Sequence, residues 1–193
     1  MLFRSYTTAW ALAEFADRLL SRMTDVYFSM LSRREEEESR TAIHQKVSRK
    51  FVFFVMPLMM FGILLAPLAI RILYKAEFHA AQILFALLMA RQMIRTLGLL
   101  HFQYLLVRGE VHLATRCYLA AFVVQIATYI PLIVYYGAEG MCWASIISTS
   151  TYVLLQGSVF IRRGQMTLLP FALTLFWMGL GIFLVISQPW IMG

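Results

Sequence analysis

The chain has 193 residues, of which 61% are hydrophobic and only 14% charged, and its mean hydropathy is +0.71. That composition excludes a soluble domain, whose surface needs far more charge. The net charge of +7 is divided among short basic clusters between apolar runs, which excludes a nucleic-acid-binding face and suits a chain whose bases mark one side of a membrane.

Six apolar runs are expected as transmembrane helices, near residues 7–30, 51–74, 79–107, 117–136, 139–160 and 167–188. Only helices and closed barrels satisfy the backbone in lipid, and these runs lack the polar/apolar alternation of barrel strands. The expected fold is therefore all-α, a polytopic membrane helix bundle within a single transmembrane domain, 1–193.

In the first run, Glu14, Asp17, Arg18 and Arg22 interrupt the apolar stretch, so it does not read as a cleavable signal peptide. At about 100° per residue, Glu14, Asp17, Arg18, Arg22 and Asp25 share an arc of roughly 140°, opposite Leu19, Met23 and Val26. Ionisable groups at membrane depth require a partner, a cavity or a function. The stripe is expected to face a bundle interior, with Glu14–Arg18 (i,i+4) and Arg22–Asp25 (i,i+3) as local pairs. Glu14, Asp17 and Asp25 are candidates for ion coupling or salt bridges.

Residues 31–50 hold the only charge run, Arg33 to Glu38, and read as a charged cytoplasmic loop containing a solvated helical linker. Alternatively, Lys46, Arg49 and Lys50 meet anionic headgroups from a surface helix. In the second span Pro57 and Pro67, and in the fourth Pro131, are candidate kinks.

The third span carries Arg91 and Arg95 one turn apart, far from either end and with no acid on their own helix. Two guanidinium groups at that depth suit a cavity that grips a phosphate bidentately; the competing expectation is salt bridges to Glu14, Asp17 or Asp25. His101 and Gln103 on that helix, and Gln125 on the next, read as hydrogen-bonded helix contacts. Ser145, Ser148, Thr149, Ser150 and Thr151 offer small surfaces for close helix approach.

Loop charge sets the orientation. Bases concentrate in 31–50, 108–116 and 161–166, placing these in the cytoplasm and the connections 74–78 and 136–140 outside. Cys117 and Cys142 fall near opposite faces and are not expected to bond. No nucleophile with its base, metal cluster or glycine-rich phosphate loop is visible, so no catalytic residue, metal or cofactor is expected.

Three stretches carry a family resemblance: Leu65 to Tyr74 (LAPLAIRILY) running on to Glu77 and Phe78, Leu106 to Glu110 (LVRGE), and Tyr136 to Gly140 (YGAEG) with Ala144. In order and spacing they resemble the C-terminal half of polysaccharide (O-antigen type) flippases, in the multidrug, oligosaccharidyl-lipid and polysaccharide exporter superfamily. Lys75 departs from the glycine that many relatives have there. The resemblance implies one lobe of a two-lobed transporter, a fragment lacking its N-terminal lobe. It further implies an inner-membrane, multi-pass protein that carries lipid-linked oligosaccharide of the undecaprenyl-pyrophosphate type for surface polysaccharide such as the O-antigen of lipopolysaccharide. Arg91 and Arg95, assisted by Arg18 and Arg22, would then hold the pyrophosphate. The expected partners are that glycolipid, membrane lipids and the missing lobe, with no nucleic acid. The alternatives are a multidrug or toxin exporter of the same superfamily and a non-transporting membrane assembly subunit.

Overall fold

The computed structural model describes residues 2–73, 79–164 and 168–187. Expectations that fall on the 74–78 connection, Lys75 and Glu77 included, lie outside the described residues. The architecture is an all-α membrane helix bundle: α1 (Leu2–Ser32), α2 (Glu37–Lys50), a π-helical turn (Phe51–Val55), α3 (Met56–Leu73), α4 (His79–Val107), α5 (Val111–Arg162) and α6 (Leu168–Ile186). Three described stretches are long and apolar enough to cross a membrane: Glu37–Leu65, Gln82–Val107 and Val111–Arg162.

α1 contains neither glycine nor proline, so nothing interrupts its ladder over 31 residues. It ends before Arg33 to Glu36, and α2 then begins. Glu37 and Glu38 lie in the first turn of α2 and Arg49 and Lys50 in its last, complementing the helix dipole at both ends. A helical segment is expected within 31–50, and residues 37–50 are a helix continuous with α3; it is not solvated on all sides, because His44 and Ser48 are buried. Its average polarity conceals one inward face. The π turn comes just before Pro57, which lacks the N–H that would close onto Phe53 in an α ladder.

α4 is the centre of the bundle, meeting α1, α2, α3, α5 and α6. Its burial runs almost all round, from Leu84 to Ala90 and again through Met93, Ile94, Leu97 and Leu100, as expected of a helix with no lipid or solvent side. At Gly98 an added Cβ would stand 3.0 Å from the Tyr152 ring and 3.1 Å from Val153, so the missing side chain lets α5 approach.

α5 is two helices in one run, broken at Gly137 (φ 58°, ψ −129°). Only glycine tolerates that conformation, which is that of the first central residue of a type II′ turn. The arms 111–136 and 138–162 fold back on each other: Ser148 Oγ donates to the Ala121 carbonyl (2.9 Å), and Tyr129 Oη lies 3.1 Å from Ser145 Oγ. The Ser/Thr run thus joins the arms. Cys117 and Cys142 are buried and free.

At the end opposite Gly137, three connections converge. Arg108 pairs with Glu37 (2.5 Å) and Glu110 (3.1 Å), Arg163 pairs with Glu110, and Arg108 donates to Tyr104 Oη (3.2 Å). Bases assigned to one side of the membrane by loop charge therefore meet at one end of the bundle. In a background lacking Cys117 and Cys142, cysteines at positions 46 and 163 should stay unlabelled by an impermeant maleimide in intact cells, while one at 139 reacts. Labelling at 46 would overturn this orientation.

Candidate functional site

α1 presents three faces. Ala9, Ala13, Leu20, Thr24, Tyr27 and Leu31 are buried against the bundle, and the small Ala9 and Ala13 permit close approach to α4. Leu19, Met23 and Val26 are exposed, as a lipid-facing surface requires. The charged stripe forms the third face: Glu14 and Asp17 are half-buried, while Arg18, Arg22 and Asp25 are exposed. The stripe as a whole is therefore not buried in this bundle. Its period was legible, but which arc a neighbouring helix would cover was not.

Asp17 stands at the border between the buried and charged faces, and from there it forms an ion pair with Arg95 of α4. Arg18 pairs with Glu14 at 3.0 Å on the exposed side, as its i,i+4 spacing suggests. No Arg22–Asp25 pair forms among the described residues, although their spacing would allow one. The structure brings together Asp17, Glu14, Arg91 and Arg95, and leaves Arg22 and Asp25 apart from them.

Arg91 and Arg95 border two clefts. One, of about 130 Å³, lies between α1 and α4 and is lined by Trp10, Glu14, Asp17, Gln92 and both arginines. The Arg91 guanidinium carbon sits 5.8 Å from the centre of the Trp10 ring, a cation–π contact that helps to place the group. The other cleft, of about 390 Å³, lies between α4 and the two arms of α5, where Phe102, Tyr118, Gln125, Thr149 and Tyr152 join the arginines. Among the described residues no carboxylate lines this larger cleft. An anion there meets two guanidinium groups, of which Arg95 already holds Asp17 on its other side.

Trp10, Tyr118 and Tyr152 escaped the sequence reading because single aromatics in apolar runs look like ordinary packing. A second feature was also missed, near the base-rich end. The His44 ring stacks on Tyr104 (centroids 4.3 Å apart), lies 5.4 Å from both His101 and Phe160, and its Nδ1 is 2.6 Å from Tyr27 Oη. His101 corrects an expectation: it is fully buried, yet among the described residues neither ring nitrogen has a hydrogen-bond partner. Gln125, by contrast, does make a helix contact, to Ser148 at 3.5 Å.

The Arg95–Asp17 pair is testable as a pair. Arg95→Ala and Asp17→Asn should each destabilise the protein, and the double variant should recover a coupling of about 1 kcal/mol, between the exposed and buried limits because Arg95 is 37% exposed. Additive losses in detergent unfolding would mean that the two side chains do not hold each other.

Among known proteins, no curated protein and no solved structure matches the chain. Residues 4–83, covering α1 to α3 and the start of α4 but neither Arg91 nor Arg95, match the family model described as “Polysaccharide biosynthesis protein”. Over that stretch the chain is similar to polysaccharide biosynthesis proteins.

Proposed function

We propose that the intact protein translocates lipid-linked oligosaccharide across the inner membrane, with Arg91 and Arg95 holding the pyrophosphate of the carrier lipid. The observation that carries this reading is that the two arginines, one turn apart, border both clefts, and that among the described residues no acid lines the larger one. A diphosphate presents several oxygens at a spacing that two neighbouring guanidinium forks can grip together.

Asp17 is then the resident counter-ion of Arg95. An arriving diphosphate competes with it, and the freed carboxylate belongs to α1, so substrate binding changes what holds α1 to α4. Arg18 and Arg22, exposed on the same helix, assist by attracting the anion. Gln125, Thr149, Tyr118 and Tyr152 line the wall of the larger cleft, which its volume of about 390 Å³ puts within the usual range of small-molecule sites.

A drug exporter selective for cations needs a net acidic cavity. The same two arginines line both clefts, and among the described residues Glu14 and Asp17 line only the smaller, so it is the side facing the larger cleft that favours an anionic cargo. The test is export of surface polysaccharide by full-length variants at matched membrane abundance.

A further inference from the structure

A separate groove of about 320 Å³ runs between α1, α2, the π turn and α4. Met23, Val47, Phe51, Phe54 and Leu100 line it, and Lys50 is the one charged group on its wall among the described residues. The π turn contributes Phe51, Phe54 and Val55 to this lining, so the local widening of the helix shapes the groove directly. Among the described residues none is shared with the two arginine-bordered clefts.

Charge is graded along α2 toward this groove. Glu37 and Glu38 occupy the first turn and Arg49 and Lys50 the last, with the acids roughly 20 Å away at helical rise. Lys46 lies one turn before Lys50 on the same side, and Lys46, Arg49 and Lys50 are all exposed. The two threonines on the wall already donate within their own helices, Thr24 to Ser21 O (2.8 Å) and Thr96 to Gln92 O (2.9 Å). The groove thus combines an apolar floor with a cationic edge and offers little else to hydrogen-bond.

We propose that this groove holds one acyl chain of an anionic phospholipid, with the headgroup phosphate on Lys50 and with Lys46 and Arg49 beside it. A soluble anion would leave the apolar floor unused. A zwitterionic lipid would gain little from three clustered cations. An extended peptide would need backbone partners that the lining does not supply.

The proposal is independent of what the two clefts carry, and lipid binding to the purified full-length protein tests it without any transport assay. Native mass spectrometry would titrate phosphatidylglycerol, phosphatidylcholine and glycerol 3-phosphate against the wild type, Lys50→Gln and Val47→Trp. The expected result is preference for phosphatidylglycerol, about fivefold weaker binding of that lipid alone to Lys50→Gln, and weaker binding of both lipids to Val47→Trp, which fills the groove. Equal retention of the two lipids by the wild type, or no effect of Lys50→Gln, overturns the proposal. Glycerol 3-phosphate binding as tightly as phosphatidylglycerol also overturns it, since the site would then recognise phosphate without a chain. Should Val47→Trp lower the melting temperature, Lys50→Gln, at an exposed position, decides alone.

Discussion

Export of surface polysaccharide should fall to background when Arg91 and Arg95 are both replaced by alanine in the full-length protein. Each guanidinium can donate two charge-assisted hydrogen bonds to phosphate oxygens, and a hydrogen bond to a charged group contributes about 1.5–3 kcal/mol. Even one lost bond per arginine corresponds to a combined factor of roughly 10² to 10⁴. Lysine at either position keeps the charge but loses the planar fork, so Arg91→Lys and Arg95→Lys should fall between wild type and alanine. A purely structural role forecasts a different pattern. Arg95→Ala would then be rescued by Asp17→Asn, because no carboxylate is left without its partner. Transport at the wild-type rate by the double alanine variant, at matched membrane abundance, would end the pyrophosphate reading.

The helical architecture was legible because lipid leaves the backbone so few options. Apolar runs too long for soluble helices and too uniform for barrel strands could only be helices, and the YGAEG stretch marked the turn that Gly137 makes. The Arg91–Arg95 pair stood out for a related reason, since a charge at membrane depth is costly wherever it points. Contacts across helices were less accessible. Helical period gave the arc of the charges on α1, but only the positions of Ala9, Ala13 and Tyr27 against α4 decide that Asp17 reaches Arg95 while Arg22 and Asp25 face outward. His44 was concealed more thoroughly. It sits in the most polar helix of the chain, and its burial depends on Tyr27, Tyr104 and Phe160 arriving from three other helices. A one-dimensional pattern records what a helix can bury, not which neighbour does the burying.

Gly140→Ala should be the most destabilising single-methyl addition among the glycines of the described helices. A Cβ at this position would overlap the Leu132 carbonyl oxygen and carbon and stand 3.0 Å from the Ile133 nitrogen. All three are backbone atoms of the facing arm of α5, so no rotamer change relieves the clash and the arms must part. Parting them also strains the hydrogen bonds that join them, from Ser148 to Ala121 and between Tyr129 and Ser145. The expected loss is about 3 kcal/mol or more. At Gly62 the outcome should be milder, because the new methyl would meet only the flexible tip of Met89 at 3.1 Å. At Gly179 nothing lies within 4 Å, so alanine there should be neutral or slightly stabilising through helix propensity. Thermal unfolding of the three variants in one detergent would establish the order. If Gly140→Ala melts with Gly179→Ala, the two arms do not approach as closely as the Gly140–Leu132 contact requires, and the hairpin geometry that shapes the larger cleft is wrong.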